Sequence, residues 1–380
     1  MKSIKAIEAE LTTPYVIYDL DNIRDKYQNL KQFLKNNYPN NQIFYALKSC
    51  YYAPIVKALV DEGCGLEIVS EDEYQIVEQL QLKQNKFIWN GAALAPSVLR
   101  EIVSKHQYVN VDSESLYQQL LHHSLIKQQK LSVGLRVNLT GHGKFGLAAD
   151  QIEKLLQQPE AIQINGFHIH LDSKVSFVEG LKLKNQFLQQ IILWEEKYSL
   201  NIDYIDLGGG IDQDQTLDEY FLGLIELIKR LKSKPSLFIE PGAWLVDTSA
   251  SVFSRVNAKK QINGQKWAFL DIGANFMVPL DRSDFKVINH QSSNTEEHYH
   301  FSGNIPLEND VIEFNVPHSP ELGEIIEIRQ CGAYTESLSS YFANSPPRKY
   351  WREKGVLYTN QNSLNEKALF MLHHGYGLKV

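Results

Sequence analysis

A lysine stands at the end of an apolar run in Phe44-Tyr45-Ala46-Leu47-Lys48. An ammonium group is costly to bury unless it is paired or made neutral, so burial lowers its pKa. A neutral amine is a nucleophile that can form a Schiff base with an aldehyde. The alternative is a structural lysine with a buried stem and a head that reaches solvent. Taken alone, this position makes Lys48 a candidate for covalent chemistry.

Three consecutive glycines, Gly208, Gly209 and Gly210, follow the strand candidate Tyr204-Ile205-Asp206-Leu207. Because they lack Cβ atoms, their backbone N–H groups can close around a phosphate. A tight turn between a strand and a helix would need glycine as well. This motif alone therefore leaves both interpretations open.

Two further motifs supply a carboxylate and two histidines. Glu240 precedes Pro241 and Gly242, and it is either a partner for a buried heteroaromatic nitrogen or a capping residue. His168 and His170 are two residues apart, so they share one face of a strand. His170 could stack on a flat cofactor, whereas a zinc site would need a third ligand that the local spacing does not offer. A lone strand histidine is usually a satisfied core residue.

In chain order, an amine, a histidine, a glycine turn and a carboxylate meet the needs of one cofactor. Pyridoxal phosphate is an aldehyde that a lysine can hold, and its phosphate suits a glycine turn. Its ring acts as an electron sink when an acidic side chain keeps the ring nitrogen protonated. The ordered set therefore predicts a pyridoxal-phosphate enzyme.

Eight short apolar runs carry these residues and alternate with segments of helical spacing. The predicted strands are residues 42–48, 65–70, 86–90, 108–112, 131–138, 164–171, 204–207 and 237–240. Strands that are apolar on both faces need helices outside them, which predicts a closed (β/α)8 barrel of the TIM type, with an open doubly wound sheet as the alternative. The chemically interesting residues fall at strand ends, where a barrel builds its active site. They are Lys48, Glu67, Asn90, Arg136, His170, Gly208, Gly209, Gly210 and Glu240.

After about residue 250 the pattern changes to short β-type segments separated by Gly, Pro and Asn. This pattern predicts an antiparallel β-domain, which the N-terminal residues 15–18 can join. We therefore expect a cofactor-binding barrel at residues 25–245 and a β-domain formed by residues 1–24 and 246–380.

The composition is that of an ordinary globular protein, with 43% hydrophobic and 22% charged residues among 380. A net charge of −7 with interleaved signs gives no reason to expect nucleic acid or an anionic membrane as partner. No stretch resembles a signal peptide or a membrane span. Three cysteines fit a reducing cytoplasm, and the adjacent histidine pairs lack metal-ligand spacing, so we expect no structural metal.

As an ordered set the motifs resemble the fold-type III pyridoxal-phosphate decarboxylases, which include ornithine, diaminopimelate and carboxynorspermidine decarboxylases. The resemblance covers nearly the whole chain and implies an alanine racemase-like fold, decarboxylation of an amino acid with a distal amine, and a head-to-tail homodimer with shared active sites. The matching pieces are Tyr45-Ala46-Leu47-Lys48, Gly134-Leu135-Arg136-Val137-Asn138, Lys144-Phe145-Gly146, His168-Ile169-His170, Gly208-Gly209-Gly210, Glu240-Pro241-Gly242 and Gly332-Ala333-Tyr334-Thr335.

The resemblance also implies a role for each matching residue. Lys48 would form the Schiff base, His170 would stack on the pyridine ring and Glu240 would pair with its nitrogen. Glu67 and Arg136 would support the ring and its neighbours. The residues expected around the phosphate and its turn are Ser173, Gly208, Gly209, Gly210, Gly242 and Tyr334.

A loop of the partner chain closes the active site in this family, and here it corresponds to residues 303–310. Asp310 would bind the distal amine of the substrate, with Glu308 and Tyr334 as further substrate contacts. The family usually carries a cysteine before the acidic residue of this loop, and Pro306 takes that place. The group that returns a proton to Cα is therefore unassigned.

Two arginines of the family pattern are missing. Ala243 follows Glu-Pro-Gly, where the family has an arginine that meets the phosphate or a substrate carboxylate, and Val278 stands where the diaminopimelate enzymes have arginine. How the phosphate is held without the first arginine is therefore unassigned. A distal carboxylate needs a bidentate partner, so these changes argue against meso-diaminopimelate. Carboxynorspermidine enzymes lack the first arginine too, although their histidine segment differs. Enzymes of polyamine biosynthesis and of siderophore biosynthesis, the latter acting on conjugated amino acids, both stay open.

Two other functions fit the same fold. An amino-acid racemase shares the barrel and the lysine, but its ring nitrogen faces an arginine instead of a residue such as Glu240. A non-catalytic regulator derived from a decarboxylase would have lost cofactor residues, whereas Lys48, His170, Glu240 and Tyr334 are all present. Decarboxylation is the function that the residues favour.

Overall fold

The computed structural model describes residues 11–81, 86–105, 107–139, 143–158, 162–171, 175–278, 285–288, 296–359 and 373–374. The chain forms two compact units. One comprises residues 26–244, and the other comprises the described residues before 26 and after 244. Strand β1 (Tyr15–Asp19) belongs to the second unit, and helix α1 (Leu20–Asn37) leads from it into the first.

The first unit is a closed barrel of eight parallel strands in chain order. The ring closes where the first barrel strand pairs with the last, with Asn41 beside Leu237. The predicted (β/α)8 barrel is therefore confirmed. Its strands are β2 (Asn41–Ala46), β3 (Gly65–Ile68), β4 (Phe87–Trp89), β5 (Tyr108–Val111), β6 (Leu131–Arg136), β7 (Ile162–His168), β8 (Tyr204–Asp206) and β9 (Ser236–Ile239).

Helices follow the barrel strands, and hydroxyl side chains fix where several of them begin. Ser70, Ser113 and Thr216 each accept a hydrogen bond from the backbone N–H three residues later, which satisfies a donor that the first helical turn leaves free. The Glu219 carboxylate accepts a hydrogen bond from the backbone N–H of Thr216, which completes a capping box. The helices are α2 (Ala53–Asp61), α3 (Glu71–Gln79), α4 (Pro96–Lys105), α5 (Glu114–Lys127), α6 (Ala149–Leu156), α7 (Phe177–Tyr198), α8 (Leu217–Ile228) and the short α9 (Ala243–Val246).

Aromatic rings fill part of the barrel interior. Phe44, Ile88, Tyr204 and Phe238 form one buried cluster, and the rings of Tyr204 and Phe238 stack with centroids 4.7 Å apart. A Cβ atom on Gly166 would lie 2.2 Å from the Tyr204 ring, so the glycine makes room for the ring. This packing excludes water from the interior and leaves the C-terminal strand ends to polar side chains.

The second unit contains a nine-stranded sheet, and the N-terminal β1 joins it as expected. β1 runs antiparallel to β10 (Ala250–Ile262) and parallel to β16 (Arg348–Glu353), so the sheet is mixed, although most pairings are antiparallel. The remaining strands are β11 (Gln265–Leu270), β12 (Lys286–Ile288), β13 (Tyr299–Ser302), β14 (Val311–Val316), β15 (Ile325–Arg329) and β17 (Val356–Thr359). Within the described residues, no helix combines the length and the apolar character needed to cross a membrane.

Because Gly166 packs closely against the Tyr204 ring, we expect a larger side chain at this position to destabilise the protein. Gly166→Ala should lower the free energy of unfolding by about 1–3 kcal/mol, because the added methyl group displaces a packed ring. Gly223→Ala is the matched control: Gly223 is an exposed helical residue with open space around its Cβ position, and alanine there should stabilise by about 0.5–1 kcal/mol. Urea unfolding measures both. Equal effects of the two substitutions would contradict this account of the interior.

Candidate active site

The candidate cofactor lysine lies just beyond β2, in the short 3₁₀ turn Leu47–Ser49. Its ammonium group forms an ion pair with Glu67, which β3 places next to it. The side chain of Glu67 is buried, whereas that of Lys48 is 32% exposed, so the amine can be approached from the mouth of the barrel. Burial raises the pKa of Glu67, and the charge of Lys48 opposes this effect. The pair keeps a reactive amine and its counter-ion at one point of the rim.

Glu240, at the end of β9, carries a carboxylate that is only partly bonded. The side-chain amide of Asn90 donates to Glu240 Oε1 at 2.5 Å and to Glu67 Oε1 at 3.2 Å. Glu240 Oε2 is buried and has no hydrogen bond within 3.5 Å among the described residues, and the neutral imidazole of His168 lies beside it, with Nε2 at 3.6 Å. A buried oxygen without a donor is costly, so this atom fits a donor that a ligand would bring. The protonated ring nitrogen of pyridoxal phosphate is such a donor.

A polar network within the barrel continues from Asn90 to Asp206 on β8. Asn110 donates to Asn90 Oδ1 at 2.9 Å and to Asp206 Oδ2 at 3.0 Å, and the hydroxyl of Tyr204 donates to Asn110. Burial, followed by the charge of Glu240, raises the pKa of Asp206 well above its usual range. Asp206 is therefore the protonated acid of this pair and Glu240 is the ionised one.

The two histidines on β7 and just after it are neutral near pH 7. Burial, and for His170 next the charge of Lys48, lowers the pKa of both rings. The backbone N–H of Gly209 donates to His170 Nδ1 at 3.3 Å, so Nδ1 is the acceptor and the proton lies on Nε2. A flat neutral imidazole in a fixed orientation is suited to stack on a pyridine ring.

The fold also supplies a third potential metal ligand that local spacing does not show. Ligand atoms of His168, His170 and Glu240 all lie within 4.8 Å of one another. Three such groups could hold a metal ion. The same groups present a carboxylate and a neutral imidazole within the electric field of the Lys48 ammonium, which is the environment that an aldehyde cofactor with a ring nitrogen requires.

The glycine turn has two amides that are already bonded and one that is free. The N–H of Gly208 donates to Asp206 Oδ1 at 2.9 Å, and that of Gly209 points to His170. The N–H of Gly210 has no partner in the described part of the chain. Gly208 and Gly210 adopt left-handed φ values of +63° and +81°, which glycine adopts without strain. Ser173, the other expected phosphate ligand, lies outside the described residues.

Gly242 and Arg136 support the rim through packing and charge. A Cβ atom on Gly242 would approach Ala46 and Ser49 at 3.1–3.2 Å, so its backbone packs on the turn that carries Lys48. The guanidinium of Arg136 bonds to Asp112 at 3.2 Å and lies over the ring of Phe145 at 4.7 Å from its centroid. Asp112 in turn accepts from the N–H of Gly146 at 3.2 Å. The Lys144-Phe145-Gly146 motif therefore serves to hold Arg136.

The remaining predicted site residues belong to the second unit. Tyr334 has a left-handed φ of +59°, a conformation that it shares with nine other non-glycine residues of the described chain. The Asp310 carboxylate is buried and accepts from the N–H groups of Ala274 and Ile305, both at 2.7 Å. It therefore organises its own loop, while Glu308 in the same loop is exposed.

Sequence reasoning did not identify several residues of this network. Asn110 lies in the buried part of a strand of four residues, and Asp206 ends its strand two residues before Gly208. A polar residue in a buried strand was the available signal in both cases. Asp112 follows its strand as the other rim residues do. The spacing of residues in the sequence does not show which of these side chains form hydrogen bonds with one another.

Comparisons with known proteins agree with the site. A family model for the pyridoxal-binding domain of pyridoxal-dependent decarboxylases matches residues 20–247. Diaminopimelate decarboxylase of Methanothermobacter thermautotrophicus is 26% identical over 373 residues, which covers 89% of this chain and 86% of that protein. The solved diaminopimelate decarboxylase from M. jannaschii in complex with L-lysine has a TM-score of 0.85 at 20% identity and covers 97% and 93% of the two chains. Lysine decarboxylase from Selenomonas ruminantium has a TM-score of 0.76 at 18% identity and covers 96% of each chain.

Fold and rim together define a closed parallel barrel whose mouth carries an amine, two carboxylates and two histidines. The chain belongs to the pyridoxal-dependent decarboxylases. Its cofactor is pyridoxal phosphate and its reaction is the decarboxylation of an amino acid. The comparisons favour neither a racemase nor a non-catalytic regulator.

The protonated state of Asp206 predicts a pH dependence of stability. An aspartate with a raised pKa holds a proton in the folded protein that the unfolded chain, with a pKa of about 3.9, has lost, so its contribution to stability falls as pH rises above about 4. Asparagine does not titrate. The free energy of unfolding of Asp206→Asn relative to wild type should therefore increase from about pH 5 to about pH 8, by at most about 1.4 kcal/mol per pH unit.

Urea unfolding at several pH values measures this trend, and any constant cost of repacking drops out of it. Asp214→Asn, at an exposed position in the same unit, corrects for general effects of charge. A difference between Asp206→Asn and wild type that stays flat with pH would show that Asp206 is ionised in the folded protein.

Proposed function

We propose that this enzyme decarboxylates an amino acid that carries a distal amine, with Lys48 as the covalent attachment point of the cofactor. The observation that supports this most directly is the unbonded, buried oxygen of Glu240 in the network that Asn90 connects to the Lys48–Glu67 pair. The amine of Lys48 and the ionised carboxylate of Glu240 match the two ends of pyridoxal that the protein must control, its aldehyde and its ring nitrogen, and the Asn90 amide connects them through Glu67.

When bound, pyridoxal phosphate supplies an electron sink for the electron pair that remains after CO2 leaves. The residues of the chain make this possible in distinct ways. Glu240, held ionised, keeps a proton on the ring nitrogen. Neutral His170 packs against a flat ring without adding charge. Glu67 stabilises Lys48 as an ammonium whenever the substrate amine has displaced it.

The substrate end of the proposal rests on two departures from the family pattern. Ala243 and Val278 replace arginines, so a distal carboxylate of the substrate would lack the bidentate partner that it needs. A distal ammonium has no such requirement and gains from the absence of nearby guanidinium groups. Basic amino acids, carboxy-polyamines and conjugated precursors of siderophores share this ammonium, and they are the substrate class that we propose.

The loop at residues 303–310 would supply the partner of that ammonium from the second subunit of a head-to-tail homodimer. Of its two acids, Asp310 is buried and already accepts two backbone hydrogen bonds, whereas Glu308 is exposed. We therefore transfer the substrate-binding role from Asp310 to Glu308. Asp310 then keeps the loop in the conformation that presents Glu308.

Replacement of Lys48 tests the covalent role. Purified wild type loaded with pyridoxal phosphate should show a visible absorption band and release CO2, and Lys48→Ala should lose both, because the substitution removes the amine to which the aldehyde attaches. The exposed Lys57→Ala, on α2 of the same unit, should keep both. A Lys48→Ala protein that retains the visible band would contradict the assignment.

A panel of substrates tests the proposed class: lysine, ornithine, carboxynorspermidine, citryl conjugates of diamino acids, and meso-diaminopimelate. The best kcat/KM should belong to a compound with a distal ammonium and no distal carboxylate beside it. meso-Diaminopimelate should be poorer by about tenfold or more, since its second carboxylate stays unpaired. Val278→Arg should reduce that difference. Wild type that prefers meso-diaminopimelate would overturn the proposed class.

The two loop acids should separate in their effects. Glu308→Gln should raise KM about five- to fiftyfold with little change in kcat, as expected for loss of one charged contact to the substrate. Asp310→Asn should instead lower the free energy of unfolding by about 1–3 kcal/mol, because it weakens two buried hydrogen bonds. Asn309→Ala, at the exposed position between them, is the control. An unchanged KM in Glu308→Gln would remove Glu308 from the site.

A further inference from the structure

A buried lysine lies behind the glycine turn. Lys184, on α7, is 2% exposed and its Nζ donates to the carbonyl oxygen of Gly209 at 2.8 Å. It also bonds to the hydroxyl of Tyr220 on α8, which itself donates to the Gly209 oxygen at 3.1 Å. Two donors from neighbouring helices thus converge on one carbonyl of the turn.

This ammonium lacks the partner that a buried charge normally has. No carboxylate among the described residues forms an ion pair with Lys184; the acids that act on it from a distance are Asp206 on β8 and Glu240 after β9. Asp206 is protonated and Glu240 already serves the ring-nitrogen position. Burial lowers the pKa of Lys184 to about 7, and the charge of Glu240 compensates for this only in part. An anion close by would stabilise the charged form.

The peptide that Lys184 bonds to carries the one free amide of the turn. The carbonyl of Gly209 and the N–H of Gly210 belong to the same peptide unit, which is trans. In a trans peptide these two groups point in opposite directions, so the Gly210 N–H points away from Lys184. A cation on the oxygen also polarises the unit and makes its N–H a stronger donor. The Gly210 amide is therefore prepared for an anion.

We propose that Lys184 provides the positive charge of the cofactor's phosphate subsite, acting through the peptide between Gly209 and Gly210. It is a positioning residue and touches neither the phosphate nor the reacting atoms. This role compensates for Ala243, which leaves the turn without the guanidinium that the family pattern places there. The inference rests on the proposed placement of the phosphate at the glycine turn.

Phosphate binding and protonation of Lys184 are then linked. A phosphate dianion on the Gly210 amide favours the ammonium form of Lys184, and the ammonium form favours the dianion by the same factor. At about pH 8 Lys184 is neutral in much of the cofactor-free protein. The phosphate group of unbound pyridoxal phosphate is already a dianion at this pH, since the second pKa of a phosphate monoester is about 6. Binding of the phosphate should therefore take up protons at that pH.

Calorimetric titration of the cofactor-free protein at about pH 8, in two buffers with different ionisation enthalpies, measures this uptake. Pyridoxal phosphate and pyridoxal both offer the aldehyde to Lys48, so the difference between them isolates the phosphate. Wild type should take up more protons with pyridoxal phosphate than with pyridoxal, approaching about one proton per site. Equal uptake with the two compounds would overturn the proposal without the need for any variant.

Variants of Lys184 separate charge from packing. Lys184→Met should weaken pyridoxal phosphate binding about ten- to hundredfold, leave pyridoxal binding unchanged and abolish the extra proton uptake. Lys184→Arg should keep the affinity but also lose the extra uptake, because arginine does not deprotonate. Lys182→Met, at an exposed position two residues earlier on the same helix, should behave as wild type.

Other results of these binding experiments would also test the role of Lys184. If Lys184→Met weakens both compounds equally, or neither, Lys184 only supports the fold and the proposal is wrong. If Lys184→Met does not fold, the wild-type uptake and Lys184→Arg still test the linkage. Wild type that binds pyridoxal phosphate and pyridoxal with equal affinity would refute a phosphate subsite at the turn, whereas failure to bind either compound would instead count against the role of Lys48.

Discussion

The side-chain amide of Asn90 donates to Glu67 and to Glu240, and the charges at the barrel mouth depend on this bridge. Two buried carboxylates on different strands would repel each other and would each prefer to be protonated. Because the amide neutralises part of that repulsion, Glu67 can face the Lys48 ammonium while Glu240 stays ionised with one oxygen unbonded. The excess proton resides on Asp206 instead. A charge pattern of this kind suits a cofactor with an electrophilic aldehyde at one end and a basic nitrogen at the other.

The closed barrel stabilises this polar network. Stacked aromatic rings occupy the interior below the network, so the polar groups are shielded from water and bond mainly to one another. In a low-dielectric setting each unbonded group is costly, and those that remain identify where a ligand belongs. Among the described residues at the mouth, the second oxygen of Glu240 and the ring nitrogens of His168 are buried without a hydrogen bond, and the N–H of the exposed Gly210 has no partner in the protein. The Glu240 oxygen would face a ring nitrogen and the Gly210 N–H a phosphate, the two ends of the same cofactor.

The barrel and its order of strands could be predicted from the sequence because each buried strand is a short apolar run with a polar residue at its end. Lys48, Glu67 and Glu240 were found in this way. The strands β16 and β17 were not, since the first is rich in charged residues and their hairpin turns at Lys354-Gly355 rather than at a familiar turn pair. Pairings such as Asn90 with Glu240, which are 150 residues apart, follow from ring closure and leave no local trace. The role of Asp310 could not be predicted from the sequence either, because spacing does not show that both of its carboxylate oxygens accept hydrogen bonds from backbone N–H groups.

The missing arginines at 243 and 278 can be explained together from the two charged groups that the site must bind, the phosphate of the cofactor and the distal amine of the substrate. A phosphate needs positive charge, but a guanidinium at the mouth would repel a substrate that brings a second ammonium of its own. Placing the cation behind the glycine turn, on Lys184, separates these demands: the peptide transmits polarisation to the phosphate side, while the cation itself stays buried. The absence of arginine at 243 then suits a substrate with a distal amine. In the sequence this arrangement places a lysine among the mostly apolar buried residues of α7, and burial brings the pKa of that lysine to about 7.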